Sequence, residues 1–112
     1  MATFTLRGLH GLYRFNWHWI PYLPPAIPGV YMLIRADAKG LNALYVGESD
    51  DLECRLWTDA SHHDGMKRAY RFGFNAIAVM SAPSHTLIPI ETDLRDMLNP
   101  PCNLQGKGIL AD

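Results

Sequence analysis

A chain of 112 residues, 48% apolar and 19% charged, has the length of one domain and the composition of an ordinary folded protein, which excludes a disordered chain. Ten Lys and Arg against eleven Asp and Glu give a net charge of −1, so no overall positive field draws the chain to nucleic acid; contact with phosphate has to come from a local patch, a metal ion or a partner chain. Cys54 and Cys102 form no C-x-x-C pair, no apolar run approaches the roughly 18 residues of a membrane span, and Met1 to Pro25 lack the pattern of a secretion signal, so a soluble cytoplasmic protein without a disulfide framework is expected.

The first 28 residues are rich in aromatics and prolines. Tyr13, Phe15, Trp17 and Trp19 alternate with Arg14, Asn16 and His18, the period of two that marks a strand. Pro21, Pro24, Pro25 and Pro28 then end regular structure and hold the chain extended. This portion is expected to cover one side of the core as an ordered extension, and its Trp and Tyr are also residues that contact surfaces favour.

Gly29-Val30-Tyr31-Met32-Leu33-Ile34 reads as a strand, and Ala43-Leu44-Tyr45-Val46-Gly47 pairs with it across a turn at Asp37-Ala38-Lys39-Gly40. Turn length decides where the tyrosines point. A three-residue loop closes Asp37 opposite Leu41, sets Tyr45 opposite Leu33 and leaves Tyr31 its diagonal neighbour on the same face; a two-residue loop sends the tyrosines to opposite faces. The three-residue loop is expected.

Ser49 or Asp50 can cap a helix, with Asp50 and Glu53 at capping-box spacing and Leu52, Leu56 and Ala60 on one face. Arg55 then leaves at the edge of that face, about 100° from Leu56. Helical pattern fades over Ser61 to Gly65, and Phe74 to Met80 reads as a further strand. Ile90, Leu94, Met97 and Leu98 recur at helical spacing, in a helix that starts or kinks at Pro89 and stops at Asn99-Pro100-Pro101. The expected fold is α+β: a small antiparallel sheet of about three strands flanked by helices.

Several of these residues form a pattern. Gly29-Val30-Tyr31 and Tyr45-Val46-Gly47 resemble the paired tripeptides of the GIY-YIG nucleases, and Ser49-x-x-Leu52-x-x-Arg55 resembles that family's helix with its catalytic arginine. Glu91, Pro100 and Asn103 stand at the offsets of the nuclease domain of the bacterial excision-repair endonuclease. The resemblance runs from Gly29 to Asn103 and implies a single nuclease domain. It implies Tyr31 as general base, Tyr45 to position water or phosphate, Arg55 to stabilise phosphate, and Glu91 to hold one Mg2+ or Mn2+ ion. Gly29 and Gly47 are implied as supporting glycines, Asn103 as the residue fixing the tail beside the site, and His62 or His63 as an active-site histidine. DNA is the implied substrate, with a second copy of the chain or a partner protein as a source of DNA affinity.

Read as chemistry, phosphodiester hydrolysis needs a water, a group to take its proton and positive charge for the developing anion, and Tyr31, Tyr45, Arg55 and Glu91 supply those types. Each taken singly is an ordinary sheet tyrosine or helix-surface charge. Glu48 stands where the repair enzymes carry lysine, Arg95 where the family helix is usually apolar, and Glu48, Asp50, Asp51 and Glu53 would repel phosphate unless they face away or assist the metal. Lys67, Arg68 and Arg71, interleaved with Tyr70, Phe72 and Phe74, are the place for nucleic acid to lie. The alternative is a module on the same fold that binds nucleic acid or protein without cutting.

Overall fold

β3 (Gly29–Asp37) is apolar on both faces because it runs through the interior of a sheet, bonded on one side to β4 (Gly40–Ser49) and on the other to β5 (Ala76–Ser81). The computed structural model, which describes residues 2–104, continues the sheet beyond β5 with β2 (Leu12–Trp19) and then β1 (Ala2–Arg7). All pairings are antiparallel, in the order β1-β2-β5-β3-β4, and the sheet curves into a half-barrel.

This corrects the expected sheet of about three strands: five are present. The strand expected over Tyr13 to Trp19 is present as β2, but it is part of the sheet, bonded to β5 with Trp17 opposite Ala78. β1 adds a fifth strand, with Phe4 opposite Phe15 and Leu6 opposite Tyr13. Six residues of modest apolar character become a strand only when a partner supplies the hydrogen bonds, and that long-range pairing is invisible to local periodicity.

Alternation on β3 divides the core. Val30, Met32 and Ile34 join Phe15 and the apolar side of α2 (Leu87–Leu98), chiefly Leu87 and Leu94. Tyr31 and Leu33 face the other way, into Leu52, Leu56, Met66, Ala69 and Phe74. The second layer comes from a π-helical turn, Cys54–Thr58, and from α1 (Asp64–Arg71), a helix that the sequence pattern had not indicated. Pro89 falls in the first turn of α2, where its missing N–H costs nothing, and Asn99 ends that helix in the left-handed conformation at φ 46°.

One buried carboxylate binds the two ends of the sequence. Asp93 on α2 accepts hydrogen bonds from the backbone N–H groups of Leu9 (2.8 Å) and His10 (3.0 Å) and from the Tyr13 hydroxyl (2.6 Å). These donors favour the anion, so the Asp93 pKa is lowered, and Tyr13, which would have to ionise beside it, is raised to about 12. The β1–β2 turn is thereby fixed over α2.

Candidate active site

The hairpin does not have the expected turn. Asp37 pairs with Gly40, which encloses only Ala38 and Lys39, and that register alone would put Tyr45 opposite Met32 and on the wrong face. A β-bulge between Leu33 and Ile34 restores it: Ile34 pairs with Ala43, Leu33 with Tyr45 and Tyr31 with Gly47. The extra residue, Leu44, is absorbed into the core. Tyr31 and Tyr45 therefore share a face, with ring centroids 6.1 Å apart.

Arg55 reaches them from the π-helical turn, where Asp59 N–H bonds to Cys54 C=O. The expected cap is displaced by one residue: Asp51 Oδ1 accepts from Cys54 N–H at 3.0 Å, while Ser49 Oγ accepts from Asp51 N–H at 3.0 Å. Part of the local acidity is thus committed to backbone donors. The Arg55 guanidinium acts on both phenols, and their proximity raises its own pKa against burial. Burial is the main cause that raises the Tyr31 pKa above its ordinary value; the neighbouring phenol adds to this, and Arg55 opposes it.

Of the two histidines, His63 enters the cluster and His62 does not. His63 is fully buried, with Nε2 2.6 Å from the Tyr31 hydroxyl and its ring 5.0 Å from that of Tyr45. It also caps α1, Nδ1 accepting from Met66 N–H at 3.1 Å. Burial and the nearby Arg55 lower its pKa to about 4. His62 is exposed, near Ser61 Oγ at 3.3 Å.

The remaining candidates divide by position. Gly29 permits close packing, since a Cβ there would come within 2.6 Å of both Leu52 Cδ1 and the Met80 carbonyl. Asn103 is buried and pairs both its amide groups with Val46, Oδ1 with the N–H and Nδ2 with the C=O, each at 2.8 Å. It ties the tail to β4 one residue before Gly47. Arg68 is committed to structure, its Nε donating to Cys102 C=O at 3.0 Å. Lys67 and Arg71 are exposed, as is Tyr70 between them. Lys67 is 3.9 Å from Asp64.

Glu91 belongs to α2, which packs on the other face of the sheet, and is joined to Arg95 at 3.1 Å. Burial, Glu48 and Asp96 raise its pKa, against the lowering effect of Arg95. Its surroundings are therefore Arg95 and carboxylates, with the tyrosines across the strand. Among the described residues, no group of three or more His, Cys, Asp or Glu converges as a metal cage. Neither is any described helix long and apolar enough to cross a membrane.

Sequence reasoning missed Gly65. A Cβ there would come within 2.4 Å of the Tyr45 ring, so this glycine lets α1 lie against the second tyrosine. The signal was His63-Asp64-Gly65, a capping residue followed by an acidic first turn, which marks the start of a helix. Comparison with protein families, curated proteins and solved structures gives no match.

Proposed function

We propose that the protein is a metal-dependent endonuclease of the GIY-YIG type that hydrolyses DNA phosphodiester bonds. The observation that carries this reading is the convergence of Tyr31, Tyr45, Arg55 and His63 on one face of the β3–β4 hairpin. A core layer has no need of two phenols, an imidazole and a guanidinium in mutual contact, because each polar group costs desolvation that an aliphatic side chain avoids.

In this reading the Tyr31 phenolate takes a proton from the attacking water as the oxygen–phosphorus bond forms. Its raised pKa makes the phenolate scarce but strongly basic, and Arg55 is the cation that favours it. Tyr45, half-buried where Tyr31 is buried, holds the water or a phosphate oxygen. Arg55 carries charge and a planar fork suited to the phosphate anion. Lys67 and Arg71 on the outer face of α1 hold the flanking backbone.

A divalent ion fits a modest donor set. Glu91 offers a hard carboxylate within electrostatic reach of Glu48, and Arg95 Nη1 lies 3.1 Å from its Oε1. When bound, such an ion would stabilise charge on the phosphate and leaving oxygen. Glu91, with Glu48 nearby, would be the carboxylate that holds it.

The direct test is incubation with supercoiled plasmid and Mg2+ or Mn2+. Nicked circles should form with the wild-type protein and not with Tyr31→Phe or in the presence of a chelator. Plasmid binding without nicking in either metal would sink the enzyme and leave the binding module.

A further inference from the structure

The Tyr31–His63 pair has a direction, and it is set from the far side of the imidazole. His63 Nδ1 is the cap of α1 and lies 3.1 Å from Met66 N–H, a group that can only donate. Met66 N–H is shared between Nδ1 and the His63 carbonyl, also at 3.1 Å; its share in Nδ1 sets that nitrogen as the unprotonated acceptor, and a neutral ring then carries its hydrogen on Nε2. Nε2 is 2.6 Å from the Tyr31 hydroxyl oxygen. We propose that His63 is a positioning residue locked by its own helix-capping bond as a hydrogen-bond donor to Tyr31, so that it holds the Tyr31 oxygen as an acceptor and does not receive the Tyr31 proton.

Two consequences follow. The Tyr31 oxygen then receives a hydrogen bond from His63 and feels the Arg55 charge, and both oppose the burial that raises its pKa. Arg55 has donors only, so within this cluster the Tyr45 oxygen is the sole acceptor for the Tyr31 hydrogen, and Tyr45 is also the more open of the two rings. The other groups acting on His63 are Arg55 from the π-helical turn, its own backbone, Arg68 from α1 and Asp64 at the start of α1; the two arginines oppose an imidazolium, while the backbone and Asp64 favour it. Residues 63 and 66 thus make the geometry of Tyr31 depend on the first turn of α1.

The link to catalysis rests on the nuclease reading, but the tautomer does not, and the two are tested separately. Long-range 15N spectra of the wild-type imidazoles at neutral pH should show His63 with hydrogen on Nε2 and bare Nδ1. An Nδ1–H tautomer, or an imidazolium, overturns the proposal whether or not the protein cuts DNA. The second arm uses His63→Asn, because asparagine caps a helix well but is too short to reach Tyr31. Titration of the Tyr31 phenol, followed by 13C on its Cζ, should move to higher pH in this variant. The alkaline-rising limb of the nicking profile should move with it, so that the rate at neutral pH falls about tenfold for every pH unit the titration midpoint climbs. An unmoved Tyr31 titration overturns the donor role. A wild-type protein that fails to nick while the 15N spectrum and the Tyr31 titration behave as stated removes the nuclease reading and keeps the donor.

Discussion

Gly47 lies directly under the Tyr31 ring: a Cβ on Gly47 would come within 2.5 Å of the Tyr31 Cζ and hydroxyl oxygen. Tyr31 is fully buried against its neighbours, so it has no space into which to yield. Gly47→Ala should therefore destabilise the fold by about 1–3 kcal/mol through overpacking and abolish nicking as the phenol is displaced. Gly65→Ala is the informative contrast. Its clash is with Tyr45, which is less buried and can swing outward, and alanine favours the helix by up to ~1 kcal/mol. Urea denaturation should show little loss for Gly65→Ala while its nicking rate falls. Equal stability losses in both variants would mean that Tyr45 is held as firmly as Tyr31.

How much of this was legible in the sequence differs from element to element. The shared face of Tyr31 and Tyr45 was legible, but for the wrong local reason. The turn is one residue shorter than expected, and the bulge beside Leu33 that compensates leaves no mark in an apolar run. β1 was missed because Phe4 and Leu6 acquire a strand's pattern only against Phe15 and Tyr13. α1 was missed because Lys67, Arg68, Tyr70 and Arg71 contribute little apolar periodicity; only Gly65, Met66 and Ala69 are buried. Asp93 looked like one more helix charge, since its partners Leu9, His10 and Tyr13 are some 80 positions away. Residue types were readable, whereas the partners that give them their roles are set by tertiary pairing.

Arg55→Lys separates charge from shape. Arg55 acts electrostatically on two phenols at once, and a planar guanidinium presents several donors in fixed geometry where an ammonium does not. The variant should fold normally, since Arg55 is only partly buried and its turn is capped by Asp51. Nicking should drop by roughly a hundred- to a thousandfold, as for the loss of one aimed donor to a developing anion. The Tyr31 phenol should also titrate at higher pH. A lysine variant with the wild-type rate would reduce Arg55 to a charged surface residue.

Asn103→Ala tests the tail. Its amide satisfies both backbone groups of Val46, buried on β4 at the edge of the sheet, where no other described strand does so. Removing it leaves one buried donor and one buried acceptor, at about 1–3 kcal/mol each. Thermal unfolding should shift down accordingly. Hydrogen exchange should accelerate at the Val46 amide ahead of the β3 amides. Protection of Val46 unchanged in the variant would show that water replaces the side chain at no cost.

His63 also makes stability depend on pH. Its folded-state pKa of about 4 lies below the ordinary 6.5, so between those values the unfolded chain takes up a proton that the folded chain refuses. The fold is at full strength above the ordinary value and loses roughly 3 kcal/mol as pH falls through this window. Asp93, with its lowered pKa, adds its own loss further into acid. Urea midpoints measured from about pH 7.5 down to about pH 4 should fall more steeply for wild type than for His63→Asn. Parallel curves would show that the imidazole is protonated without disturbing the fold.

Glu91→Gln bears hardest on the metal. Glu91 is mostly buried, is joined to Arg95 and is repelled by Glu48 and Asp96, so its negative charge is costly to the apo protein. Glutamine keeps the size and helix propensity and can still accept a hydrogen bond from Arg95. Arg95 has other interactions, so the substitution does not strand it. Thermal stability should therefore change little, because the lost ion pair and the relieved repulsion act in opposite directions. Metal-dependent nicking should fall by orders of magnitude, since an uncharged amide binds Mg2+ far more weakly than a carboxylate. DNA affinity measured without metal should hold or rise, one negative charge near the backbone having been removed. Rate and affinity have to be measured on the same preparation. If nicking persists at the wild-type rate, the ion is held elsewhere and Glu91 serves only to pair Arg95; if nicking and DNA affinity fall together, Glu91 maintains the DNA-binding surface and the metal assignment fails.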